Sequence, residues 1–208
     1  MIGVFGGTFD PIHYGHLRPA LDVMQSVGLE QVRFIPLHGA VHRDPPQVCA
    51  RLRMQMVEAA ISGQEGFVAD DRELQRAGRS YTVDTLTELR QAFPYKPLCL
   101  MMGMDAFNGF PHWHRPDEIL SLAHLIVMRR PGEAAPGTDV QKLLAAHQCH
   151  EVSMVEQRRT GNILLQTVTQ LDISSTRIRA MLGQGRQPRY LLPEAVLELI
   201  RANGLYGG

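Results

Sequence analysis

A chain of 208 residues with 44% hydrophobic residues has room for one ample core, or for a domain with a small appendage. Lys and Arg number 21, as do Asp and Glu, so no global field favours nucleic acid or an anionic membrane surface, while a local pocket for a small polyanion stays open. Cys49, Cys99 and Cys149 are too scattered for a disulfide framework, no basic leader precedes Ile2, and no apolar run is long enough for a bilayer; the expectation is a cytoplasmic protein without a signal peptide.

In chain order, residues 2–5 read as a buried strand and residues 17–27 as a helix ended by Gly28. Residues 32–36 make a second strand stopped by Pro36, residues 52–61 carry helical spacing, and residues 67–69 form a short strand. Ser80 is placed to cap a helix over about 83–93. Residues 98–102 are apolar throughout, as a strand covered on both faces should be. A short helix closes at 119–122, and 125–128 is the next strand. The pattern then weakens through a loop over 130–137, a surface helix over 140–146, and His147-Gln148-Cys149-His150, which reads as solvated. Residues 162–169 form a strand, and 174–182 and 193–202 are terminal helices. The alternation predicts an α/β fold: a doubly wound, Rossmann-like, mostly parallel sheet with helices on both faces, in one domain spanning 1–208 with a small helical C-terminal part from about 173. Ligands of such sheets bind at the C-terminal strand ends near the reversal of strand order. The residues after the first strand and Gly103-Met104-Asp105 after the central strand should therefore face one crevice.

Two stretches carry chemistry. In Gly6-Gly7-Thr8-Phe9-Asp10-Pro11-Ile12-His13-Tyr14-Gly15-His16, the glycines let a backbone turn present amides to a ligand, and the next helix start favours an anion. His13 and His16 would share a face and can donate to phosphate oxygens. A turn with structural histidines fits the same residues, and a metal pair would lack a third ligand nearby. In Asp172-Ile173-Ser174-Ser175-Thr176-Arg177-Ile178-Arg179, a serine caps a helix while hydroxyls and arginine forks gather at its positive end. An ordinary capped helix with solvated arginines is the alternative.

Taken together, Gly-Thr-Phe-Asp-Pro-x-His-x-Gly-His and Ile-Ser-Ser-Thr-x-Ile-Arg resemble the nucleotidyltransferase superfamily, with the match closest to its bacterial nicotinate-mononucleotide adenylyltransferase branch. Ser80-Tyr81-Thr82, Trp113 and the chain length support that branch. The resemblance implies adenylyl transfer from ATP to nicotinate mononucleotide, with Mg²⁺ bound through the ATP phosphates and no metal ligand from the protein. It implies that His13, His16, Arg177 and Arg43 are catalytic. ATP would be held by Gly6, Gly7, Thr8, Phe9, His13, His16, Gly103, Asp105, Ile173, Ser174, Ser175, Thr176 and Arg177. The mononucleotide would meet Thr8, His42, Arg43, Ser80, Tyr81, Thr82, Trp113 and Arg129. The adjacent prolines usual before the loop His-Lys/Arg pair are missing ahead of His42-Arg43. A nicotinamide, pantetheine-phosphate or cytidylyl specificity, or a non-catalytic nucleotide sensor, is the competing function. The partners expected are the two substrates, with no nucleic acid and no membrane; a homo-oligomer is left open.

Overall fold

The computed structural model describes residues 1–38, 45–76, 78, 81–129, 136–169 and 171–207. Seven strands make one sheet: β1 (Ile2–Gly7), β2 (Gln31–Pro36), β3 (Phe67–Ala69), β4 (Leu98–Gly103), β5 (His124–Arg129), β6 (Gln148–Cys149) and β7 (Ile163–Thr167). Their order is β3-β2-β1-β4-β5-β7-β6, and every ladder is parallel. The sheet is thus wholly parallel among the described residues, where mostly parallel was expected. Period-two alternation splits β1, β2, β4, β5 and β7 between two cores. Phe5, Phe34, Met101 and Ile126 face one, packed by α1 (Tyr14–Val27), α2 (Ala50–Ile61), α9 (Ser175–Gly183) and α10 (Glu194–Ala202). Val4, Ile35, Leu100 and Val127 face the other, packed by α4 (Thr82–Ala92), α5 (Met104–Gly109), α6 (Pro116–Leu122) and α7 (Thr138–His147). Apolar runs such as 98–102 follow directly from burial on both faces.

Several boundaries differ from expectation. The first helix begins at Tyr14, not at 17, with His13 as its N-cap, so the histidine motif is itself a helix start. Gly28 closes it in the left-handed conformation at φ 71°. The fourth helix starts at Thr82 with Tyr81 in the capping position and no side-chain cap bond; Ser80, the expected cap, lies outside the described residues. Short helices α3 (Arg72–Gln75) and α8 (Val152–Glu156) were not expected, nor was α5. The residues 147–150, expected to be solvated, contain β6: Cys149 is buried in the first core, and His147 Nδ1 lies 2.9 Å from the Gly161 carbonyl. Among the described residues no helix is long and apolar enough to cross a membrane.

Candidate active site

Strand order reverses at β1, whose neighbours are β2 on one side and β4 on the other. Connections leaving β1 and β4 pass to opposite faces, opening a crevice at their C-terminal ends. A cavity of about 390 Å³ sits there, walled by Gly6, Gly7 and Thr8 after β1, by Gly103 and Asp105 after β4, and by Tyr81, Thr82, Trp113 and His114. A Cβ built at Gly6 or Gly103 would meet nothing within 4 Å, so at these positions bare backbone faces open space. Gly7 answers to a different constraint, since its Cβ would come within 2.8 Å of the Phe9 ring. Phe9 itself is only 2% exposed and packs edge-on against Phe5. Its side chain is packed into the core and not into the crevice, because an aromatic surface of that size gains more from burial, so any contact of Phe9 with a nucleotide would come from its main chain.

The two histidines are brought together by the first turn of α1. Their rings stack at 3.8 Å with 29° between planes. The His13 main-chain N–H donates to His16 Nδ1 at 3.3 Å, which leaves Nε2 as the proton-bearing nitrogen of a neutral His16 ring. Phe9 meets the His16 ring edge-on at 5.2 Å and helps fix its orientation. His13 is buried, and burial pushes its imidazole from 6.5 down to about 4; at neutral pH it is an uncharged donor–acceptor. Its Nδ1 has no hydrogen-bond partner among the described residues.

The second motif folds against the first. A Cβ on Gly15 would strike the His13 ring at 2.9 Å and the Ile173 carbonyl at 3.1 Å, so only glycine lets the start of α1 approach the residue leading into α9. Ser174 caps α9 by accepting the Arg177 main-chain N–H at 3.2 Å. Ser175 Oγ donates to the Pro11 carbonyl at 2.9 Å, and Arg179 Nη1 to the Asp10 carbonyl at 2.7 Å. The two arginines therefore part company. Arg179 ties the motifs to each other, while Thr176 and Arg177 stand exposed in the first helical turn.

Across the cavity, the Tyr81 and His114 rings lie 4.4 Å apart, and half-buried Trp113 rests on Phe110 at 5.6 Å. Beneath them, Thr85 Oγ1 donates to buried Glu73 at 2.6 Å. Asp105 is exposed in the first turn of α5. Arg129 ends β5 at the same rim, but it is exposed and does not wall the cavity. His42 and Arg43 lie outside the described residues, as does Ser80. Among the described residues no three His, Cys, Asp or Glu side chains gather to hold a metal.

Sequence reasoning passed over Arg53, Tyr206 and the side chain of Asp10. Arg53 is 1% exposed and donates to the carbonyls of Thr8 and Leu37 at 2.7 Å each, and of Val48 at 3.2 Å. It falls on the same face of α2 as Met56 and Val57; an arginine within an apolar stripe is the readable sign of a buried one.

The Cytidylyltransferase-like family model matches residues 4–181. A relative from Aeromonas hydrophila named "Probable nicotinate-nucleotide adenylyltransferase" is 47% identical over 99% of this chain and 96% of its own length. One of the same name from Methylococcus capsulatus is 45% identical, with 99% of each chain covered. Among solved structures, the Plasmodium falciparum nicotinic acid mononucleotide adenylyltransferase complexed with NaAD superposes with a TM-score of 0.74, covering 99% of this chain and 97% of that one. At 17% identity this last likeness speaks for the fold alone. By the extent of these matches, the chain belongs to the cytidylyltransferase-like family, among the nicotinate-nucleotide adenylyltransferases.

Proposed function

We propose that this chain transfers the adenylyl group of ATP to nicotinate mononucleotide, giving nicotinate adenine dinucleotide and pyrophosphate, a step in NAD biosynthesis. One observation carries the reading. The stacked His13–His16 pair and the first turn of α9 meet at the end of β1, next to a cavity walled by Tyr81 and Trp113. That geometry suits a triphosphate beside an aromatic mononucleotide.

The nucleophile is the mononucleotide's phosphate oxygen, already charged, so the reaction needs no general base. It attacks the α-phosphorus in line; the new P–O bond forms as the bond to the β-phosphate oxygen breaks, and pyrophosphate leaves. No covalent enzyme intermediate forms. Catalysis is positioning plus donors held ready for growing negative charge. His16, with its proton on Nε2, donates to the α-phosphate. His13 and Arg177 hold the β- and γ-phosphates, with the backbone from Ile173 to Thr176 adding donors at the positive end of α9. Gly6 and Gly103 admit the nucleotide to bare backbone, and Asp105 accepts from ribose hydroxyls. Trp113 stacks on the pyridine ring, while Tyr81, Thr82 and Thr8 line its pocket. Ser80, His42 and Arg43, which lie outside the described residues, keep the mononucleotide and phosphate roles that the motif resemblance implies. Arg129, exposed at the end of β5 on the same rim, would reach the mononucleotide from outside the cavity wall. Mg²⁺ would be bound through the ATP phosphates and would neutralise charge there.

The test is pyrophosphate release from ATP with nicotinate mononucleotide, nicotinamide mononucleotide or pantetheine phosphate as acceptor. Nicotinate mononucleotide should give the highest kcat/KM. Preference for another acceptor, or ATP binding without release, would replace this reading by one of its rivals.

A further inference from the structure

The connection from β1 to α1 is held from behind. Its carbonyls at Thr8, Asp10 and Pro11 are engaged by Arg53 from α2 and by Arg179 and Ser175 from α9. The buried Asp10 carboxylate is fixed at both oxygens: the Tyr206 hydroxyl donates to Oδ1 at 2.6 Å and the Gln47 main-chain N–H to Oδ2 at 2.8 Å. Arg53 spans the loops after β1 and β2, since the same guanidinium holds Thr8 and Leu37. The polar groups of these side chains are engaged by the protein itself: Arg53 by three carbonyls, Tyr206 by Asp10, and Asp10 by Tyr206 and Gln47.

We propose that Tyr206 is a positioning residue for the phosphate loop, acting through Asp10 to set His13 and His16, with Arg53 keying that loop to the one after β2. The proposal rests on the phosphate roles given to the two histidines above. A connecting stretch lacks the repeated bonds of a helix or strand, and donors on its carbonyls are what give it one conformation. Tyr206 also sits at φ 64°, an uncommon backbone state for a tyrosine, and is held there while bonded to Asp10. Burial and the adjacent carboxylate push its hydroxyl well above the ordinary range, so it stays a donor throughout any assay pH. The mononucleotide walls, Tyr81 and Trp113, belong to other elements on the opposite face of the sheet, so loosening the phosphate loop should leave them in place.

Tyr206→Phe deletes one hydroxyl and keeps the ring. The expected result is a roughly ten- to hundredfold fall in kcat/KM for ATP, with the KM for nicotinate mononucleotide within about twofold of wild type. Arg53→Lys keeps a charge but cannot span three carbonyls, and should reduce the same ATP parameter. Two results would overturn the proposal: both parameters unchanged in Tyr206→Phe, or a fall in kcat/KM for ATP matched by a raised KM for nicotinate mononucleotide and a lowered melting temperature, as a residue serving only the fold would give. If the wild-type protein releases no pyrophosphate with any acceptor, the catalytic reading fails separately. Calorimetric binding of a non-hydrolysable ATP analogue to wild type and Tyr206→Phe then decides the positioning claim, with about tenfold weaker binding expected of the variant and equal binding refuting it.

Discussion

Acid should destabilise this protein through His13 in a way that can be read residue by residue. The buried ring takes up a proton only near pH 4, while an imidazole in the unfolded chain does so near 6.5. Below 6.5 the unfolded state therefore binds more protons, and native stability falls as pH drops toward 4. The difference in proton affinity corresponds to about 3 kcal/mol by pH 4, of which about 2 kcal/mol is lost between pH 7 and pH 5. His124 is pushed the same way by burial, so the wild-type curve alone would not isolate the effect. Urea unfolding of wild type and His13→Asn at pH 7, 6 and 5 removes that background, because asparagine does not titrate. The stability difference between the two proteins should shift by about 2 kcal/mol across that range, against the wild type at the acid end. Parallel curves would refute the inference that His13 is buried and neutral. A bound triphosphate would favour the charged ring, so ATP binding at pH 5–6 should take up a proton, visible as a buffer-dependent binding enthalpy.

Three substitutions probe other parts of the site. His16→Ala should slow pyrophosphate release roughly 10²- to 10³-fold with little change in either KM, by comparison with loss of one oxyanion donor. Trp113→Ala should raise the KM for nicotinate mononucleotide roughly 5- to 100-fold, equivalent to about 1–3 kcal/mol of lost stacking, and spare the KM for ATP. Gly103→Ala is the subtlest case. Gly103 has φ −75° and open space at its Cβ position, so the substitution should stabilise the fold by about 0.4–1 kcal/mol through the unfolded state. It should nevertheless weaken ATP binding, and calorimetry showing unchanged affinity would remove Gly103 from the nucleotide contacts.

The strands were legible because burial on both faces leaves an apolar signature that needs no context, as in residues 98–102. The long helices were legible from their spacing. The start of α1 was not: Gly15 and His16 are weak helix formers, and Pro19 lies within the helix, so local propensity argues for a later start than tertiary packing enforces. Helices of four to six residues, such as α3, α5 and α8, are too short to show a period. In β6, two residues are too few to alternate, and the buried Cys149 was hidden among histidines and a glutamine. The histidine pair and the capped α9 could be read as motifs because their residues are close in sequence. Arg53 left a trace in its apolar stripe. Tyr206 left none, for its partner Asp10 is 196 positions away and only the fold connects them.

That separation bears on how the molecule is made. The ribosome delivers Asp10 196 residues ahead of Tyr206, and Pro11 164 residues ahead of Ser175. Half of the sheet can assemble behind the ribosome while these partners do not yet exist. A nascent chain with β1, β2 and β4 already paired would still have a loose end to its central strand. Closing so wide a loop costs entropy that local contacts cannot repay. Competence to bind nucleotide is therefore acquired late in synthesis, and fragments lacking the final helices should fold in part yet remain inert.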